Sequence, residues 1–166
     1  MKNCEPYNLR EWYVSSGRLF TCGRPGRGTY NPLTKPVPEY VIDLWVRGLP
    51  SVPQLSIISL LGYKPPSVKH PSGLSEFAYY PFRSFKEGGS KPTFQDWLIS
   101  RSGPRFSVEE FPTLDRLPIV PYEFVETIRK RVRALLESSA VVIVVDSAGV
   151  QRTGEVCGTI GILRSN

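Results

Sequence analysis

From Pro121 to Glu137 the apolar residues Phe124, Val125, Ile128, Val132, Leu135 and Leu136 recur at three- and four-residue intervals, with Glu126, Arg129, Lys130, Arg131 and Arg133 between them. That stripe predicts an amphipathic helix with one face in a core. Ala140-Val141-Val142-Ile143-Val144-Val145 follows as an unbroken apolar, mostly β-branched run, the pattern of a central strand covered on both faces. Next comes Asp146-Ser147-Ala148-Gly149-Val150-Gln151-Arg152-Thr153-Gly154, after which Val156, Ile160 and Leu163 resume a helical period. Gly158 and Gly161 would let that helix pack closely. Strand, loop and helix in this order make a phosphate cradle, because loop amides and a helix amino terminus can converge on one anion.

The earlier part is less regular. Val41, Leu44, Trp45 and Leu49, started by Pro38-Glu39 and stopped by Gly48-Leu49-Pro50, predict a first amphipathic helix. Leu55-Ser56-Ile57-Ile58-Ser59-Leu60-Leu61, bounded by Pro53 and Gly62, predicts a buried strand. Phe77 to Phe82 and Phe106 to Phe111 are two further strand candidates, the first demoted toward an edge by Pro81. Residues 62–75 and 85–93 are rich in Pro, Gly, Ser and Lys and read as loops, and no internal repeat is present.

Composition narrows the classes. A chain of 166 residues, 40% hydrophobic and 22% charged, fits a single domain over residues 1–166, with residues 1–37 a Pro/Gly-rich opening segment. The sixteen prolines lie in clusters between apolar runs, which predicts stiff loops rather than disorder. A formal charge of +6 favours anionic partners such as phosphorylated protein, nucleotide or RNA. Cys4, Cys22 and Cys157 have no CxxC spacing and only His70 accompanies them, so no standard zinc set exists, and metal and cofactor are both expected to be none. Unpaired thiols fit a reducing compartment. The amino terminus lacks an apolar signal core and no run reaches the ~18 apolar residues of a membrane span, so a soluble, intracellular protein, cytoplasmic or nuclear, is expected.

The residues Ser147-Ala148-Gly149-Val150 and Arg152-Thr153-Gly154 resemble the phosphate-binding signature His-Cys-x5-Arg-Ser/Thr of the protein tyrosine phosphatase family, and of its dual-specificity branch in particular. Arg152 stands six positions after Asp146, as that signature requires of arginine and cysteine. Pro112-Thr113-Leu114-Asp115-Arg116-Leu117-Pro118 resembles the loop of the general-acid aspartate, and Asp115 lies 31 residues before the cysteine position, as in compact dual-specificity members. The likeness covers residues 106–164, and more weakly Gly17-Arg18-Leu19-Phe20 and Gly23-Arg24-Pro25, which look like the opening strand and turn.

This resemblance implies a three-layer α/β/α fold around a mostly parallel sheet. It implies that Ser147, Ala148, Gly149, Val150, Gln151 and Arg152 surround a phosphoryl group, Arg152 by its planar fork. Asp115 then takes the general-acid position and Thr153 that of the hydroxyl assisting the leaving thiolate. Taken alone, Asp115 would read as a turn residue or helix cap and Arg152 as a surface ion-pair partner. Cys157 reads as a packed thiol rather than a displaced nucleophile, His70 as a turn residue, and Arg129 to Arg133 as a solvated face.

The chain departs from the family at two adjacent positions, where Val145 replaces the histidine and Asp146 the cysteine. The paired change points to divergence into a pseudophosphatase. A carboxylate at residue 146 would sit among amide donors and beside Arg152, occupying the cradle itself. An arriving phosphate would meet a like charge, and at ~4 Å with an effective dielectric of ~20 that repulsion is about 4 kcal/mol. Tenfold in affinity corresponds to ~1.4 kcal/mol, so useful binding would be lost. Family domains also continue past the cradle helix. With the chain stopping at Asn166, the missing cover is expected to come either from the proline-rich amino-terminal half or from a partner or second copy, or the chain is a shortened form.

The leading expectation is a catalytically impaired phosphatase-like domain that acts by binding a protein partner or phosphoprotein. An active phosphatase on phosphoprotein or RNA 5′-phosphate would need Asp146 as an acyl-phosphate nucleophile. A basic RNA-binding module is the third reading, suggested by Tyr79, Tyr80 and Phe82 beside Arg83, since bases stack on aromatics near cations.

Overall fold

The structure, a computed structural model, describes residues 6–165. Cys4 and the residues around it, where a signal core was sought, lie outside that range. In chain order the elements are β1 (Arg10–Tyr13), β2 (Arg18–Gly23), α1 (Glu39–Gly48), β3 (Leu55–Ser59), β4 (Tyr63–Lys64), β5 (Leu74–Ser75), α2 (Phe94–Ser102), β6 (Phe106–Glu110), α3 (Tyr122–Glu137), β7 (Val141–Asp146), α4 (Gln151–Cys157) and β8 (Ile162–Leu163). The protein is mixed α/β with a mostly parallel central sheet and four helices among the described residues.

The six-stranded sheet runs β6-β3-β7-β2-β1-β8. Its β6, β3, β7 and β2 are mutually parallel, while β1 joins β2 and β8 joins β1 antiparallel. The chain steps one way across the sheet through α1 and α2, then reverses through α3 to insert β7 between β3 and β2. Parallel crossovers are right-handed, so a reversal of direction sends the connecting helix to the opposite face. Accordingly Val41, Ile42 and Trp45 of α1 and Phe94 and Leu98 of α2 pack in one core cluster. The stripe of α3, with Val125, Ile128, Val132 and Leu136, packs with Val156 and Cys157 of α4 in the other. β7 feeds both: Ile143 and Val145 enter the first cluster, Val142 and Val144 the second.

Several expected elements change. Phe77 to Phe82 is a run of turns rather than a strand, because its rings pack on one another and on α2. Tyr80 and Phe82 stack at 4.8 Å and Phe82 and Phe94 at 4.5 Å between ring centroids. The helix after the cradle ends at Cys157, and Leu163 lies instead in β8, opposite Trp12 of β1. Gly161 makes that return possible, since a Cβ there would stand 2.6 Å from the Tyr13 carbonyl oxygen. The stretch 62–75 contains the small β4–β5 pair, and residues 10–23 of the opening segment form two strands of the main sheet. Among the described residues no helix is long and apolar enough to cross a membrane.

Candidate functional site

β7 is the innermost parallel strand, and the loop at its carboxyl end is where open α/β sheets carry their ligands. Asp146 closes β7, residues 147–150 turn, and α4 begins at Gln151. The turn is wedged against β2. Gly149 has φ of +73°, and a Cβ on it would lie 2.5 Å from the Cys22 carbonyl carbon. The amino-terminal segment pins the loop from outside, as Asn8 Nδ2 donates to the Ala148 carbonyl at 2.8 Å and Arg10 Nη2 to the Gly149 carbonyl at 3.0 Å. The Ser147 carbonyl accepts from the Arg24 amide at 3.2 Å.

Asp146 is 2% exposed and turns back into its own loop. The Gly149 amide donates to Oδ1, and the Thr153 amide donates to Oδ2 at 2.9 Å. The carboxylate thus takes up two of the donors that would otherwise face a ligand.

Arg152 departs from expectation. Its guanidinium is buried and bonded to the carboxylate of Glu76 rather than to Asp146. Nη1 donates to Glu76 Oε1 at 2.7 Å and Nη2 to Oε2 at 2.9 Å, a two-pronged pair with Glu76 0% exposed. Nη1 also donates to Thr113 Oγ1 at 3.0 Å and to the Leu60 carbonyl at 3.1 Å, and Nη2 to Asp115 Oδ1 at 3.0 Å. Burial alone would disfavour this cation. The bond and charge of Glu76, then the charges of Asp115 and Asp146, outweigh it and hold the arginine's pKa above its ordinary value. The contact expected between Arg152 and Asp146 is therefore replaced by an ion pair with a residue 76 positions upstream.

Asp115 does face the cradle. Its loop is held to the end of β3: the Thr113 amide donates to the Leu60 carbonyl at 3.2 Å, Tyr63 to Thr113 at 3.1 Å, and Asp115 to Tyr63 at 2.8 Å. The approach is so close that a Cβ on Gly62 would stand 2.3 Å from the Thr113 carbonyl oxygen. With the carboxylate taken by Arg152, Asp115 braces the guanidinium.

Thr153 is 1% exposed and its Oγ1 is buried without a hydrogen-bond partner among the described residues. Val150 is half exposed at the start of α4. Asp146, Ser147, Ala148, Gln151 and Arg152 line a cleft of about 160 Å³, together with Asp115, Arg27, Asn31, Lys64 and Arg116. Both described thiols lie in the core. Burial, then the charge of Asp146, pushes Cys22 and Cys157 upward, away from the thiolate form. No group of three or more His, Cys, Asp or Glu side chains among the described residues is placed to hold a metal ion.

Sequence reasoning missed Glu76, Arg27, Lys64 and Arg116. For Glu76 the available signal was an acid directly before the aromatic run Phe77 to Phe82, a place where burial demands a partner. The features behind the RNA reading have structural duties instead. Tyr80 and Phe82 are core residues, and Arg83 clasps its own loop through the carbonyls of Ser84, Glu87 and Lys91. The cationic face of α3 is similarly engaged: Arg129 pairs with Glu126, Arg131 takes both oxygens of Glu109, and Arg133 reaches Thr159. His70 forms turns, its carbonyl accepting from the Ser67 and Gly73 amides.

No family model, no curated protein and no solved structure matches the chain.

Proposed function

We propose that the chain is a protein tyrosine phosphatase-like domain, of dual-specificity type, that is silent as a cysteine phosphatase and acts by holding a protein partner. The observation that carries this reading is Asp146, buried at the nucleophile position with its two oxygens accepting the Gly149 and Thr153 amides. Such a side chain fills the cradle with a fixed negative charge where a substrate phosphate would need the same donors. Arg152, Asp115 and Thr113, which meet within hydrogen-bonding distance, support the phosphatase-like reading of the two loops. Glu76 and Asp115 take the arginine's fork, so fewer of its donors are left for a phosphate.

An acyl-phosphate route through Asp146 would need one of its oxygens aimed at an incoming phosphorus atom. Each instead accepts a backbone amide, which weakens the carboxylate as a nucleophile and speaks against that route. Turnover of a generic aryl phosphate, measured with and without magnesium, tests the reading. No turnover above background is expected in either condition. Magnesium-dependent turnover that disappears in Asp146→Asn would overturn it.

A further inference from the structure

The cleft has a neutralised floor and a charged mouth. On the floor Asp146 is bonded to loop amides and Asp115 and Glu76 to Arg152. At the mouth, Arg27 and Arg116 from two turns and Lys64 from β4 converge on the same space. Elsewhere Arg18, Arg101, Arg129, Arg131 and Arg164 each have a carboxylate partner, and Arg10, Arg24, Arg83, Arg105 and Arg133 form no ion pair among the described residues but donate to carbonyls or hydroxyls. Arg27, Lys64 and Arg116 form no ion pair among the described residues. Arg27 is the sharpest case, because its Nε and Nη1 are buried and have no hydrogen-bond partner there. Buried donors without acceptors are costly, and an arriving anion would satisfy them. Burial first, then the charge of nearby Arg24, lowers the pKa of Arg27 and of Lys64 against the opposing pull of Asp115, which is itself bonded to Arg152.

Beside this mouth lies an apolar groove of about 190 Å³, lined by Gly62, Tyr63, Leu114, Pro118, Val120 and Phe124 among others. Tyr63–Lys64 and Leu114–Asp115–Arg116 separate groove from mouth, so neighbouring residues of the same two segments offer an apolar surface to one side and cations to the other.

We propose that Arg27, Lys64 and Arg116 bind a phosphorylated side chain of a protein partner at the mouth of the cleft, outside the closed cradle, with a flanking apolar residue of the partner in the Tyr63–Leu114 groove. The proposal rests on the reading of the cradle as closed by Asp146. A phosphomonoester suits the site because it carries a charge of about −1.5 to −2 and three acceptor oxygens, matching clustered donors better than one carboxylate does. The adjoining groove suits a peptide. A stacking platform for nucleic acid is missing where the sequence suggested one, since Tyr80 and Phe82 are buried.

Calorimetric titration of the full chain with phosphotyrosyl and phosphoseryl peptides flanked by leucine, their unphosphorylated forms, and a single-stranded RNA oligonucleotide at matched salt tests this. At least one phosphopeptide should bind, the unphosphorylated forms at least tenfold more weakly. Arg27→Gln, Lys64→Gln and Arg116→Gln should each weaken the phosphopeptide tenfold or more, with thermal unfolding unchanged for the exposed Arg116. Should Arg27→Gln fail to fold, Lys64→Glu and Arg116→Glu carry the same test. Binding that ignores these substitutions, absence of binding by both phosphopeptides, or tighter binding of RNA would overturn the proposal while leaving the silent cradle standing. Release of inorganic phosphate from a bound peptide would instead overturn the functional reading beneath it.

Discussion

The floor and the mouth of the cleft are built from the same kinds of residue and treat charge in opposite ways. On the floor, Arg152 is buried against two carboxylates, and Asp146 is buried against two amides. At the mouth, Arg27, Lys64 and Arg116 stand half-buried or exposed without carboxylate partners among the described residues. Burial explains the difference. An unpaired ion in the interior costs several kcal/mol, so the floor had to be closed by its own residues once it was enclosed. Water reaches the mouth, so charge there costs less than on the floor, except at Arg27, whose Nε and Nη1 are buried without a partner among the described residues. The difference separates charge that is balanced within the fold from charge that is not.

The largest effect expected from breaking this division is on stability. Arg152→Met leaves Glu76, 0% exposed, as an unpaired buried carboxylate, and should cost about 3–5 kcal/mol. For a domain of this size that lowers the melting temperature by on the order of 10 °C. The double variant Arg152→Met/Glu76→Gln should regain much of the loss, because the orphaned charge goes with its partner. Equal losses in single and double variants would mean that packing, not charge, holds the floor.

A smaller effect is expected at Asp146. Asp146→Ala withdraws the acceptor from the Gly149 and Thr153 amides, and an unsatisfied buried donor costs about 1–3 kcal/mol. Added phosphate should raise the melting temperature of this variant more than that of the wild type, since a ligand that binds only the folded state stabilises by mass action. The smallest effect belongs to the mouth: Lys64→Gln and Arg116→Gln should stay within about 0.5 kcal/mol of wild type in urea unfolding, as surface changes usually do. A loss as large as that of Arg152→Met would erase the distinction between floor and rim.

The part of this arrangement that could be read from the sequence is the part with local periodicity. The α3 stripe, the β-branched run of β7 and the glycine-bearing turn after it announce themselves because each is one unbroken pattern over a face that is wholly buried. From them followed the strand, loop and helix order and the amide bonds to Asp146, though not the contact expected from Arg152. β1 went unread because Arg-Glu-Trp-Tyr is mostly polar and becomes a strand only by pairing with β2, with Trp12 its one buried residue. α2 was assigned no element, although Thr93, whose Oγ1 accepts from the Asp96 amide at 3.2 Å, was a capping signal in plain view. The aromatic run Phe77 to Phe82 looked like a strand by propensity, but tertiary ring packing overrode it. The partner of Arg152 was the least legible feature, since a long-range ion pair to Glu76 has no local pattern and depends on the β4–β5 region folding over the site.

The account stands on a cradle closed by its own carboxylate, and calorimetric titration of orthovanadate into wild type and Asp146→Ser, at matched pH and salt, measures that directly. Removing the resident charge frees the Gly149 and Thr153 amides while Arg152 stays paired with Glu76 and Asp115. Repeating both titrations in an Arg116→Gln background separates the cradle from the mouth, which shares the cleft with Asp146. Asp146→Ser should bind at least tenfold more tightly than wild type. Wild type binding vanadate as tightly as Asp146→Ser would contradict the closed cradle.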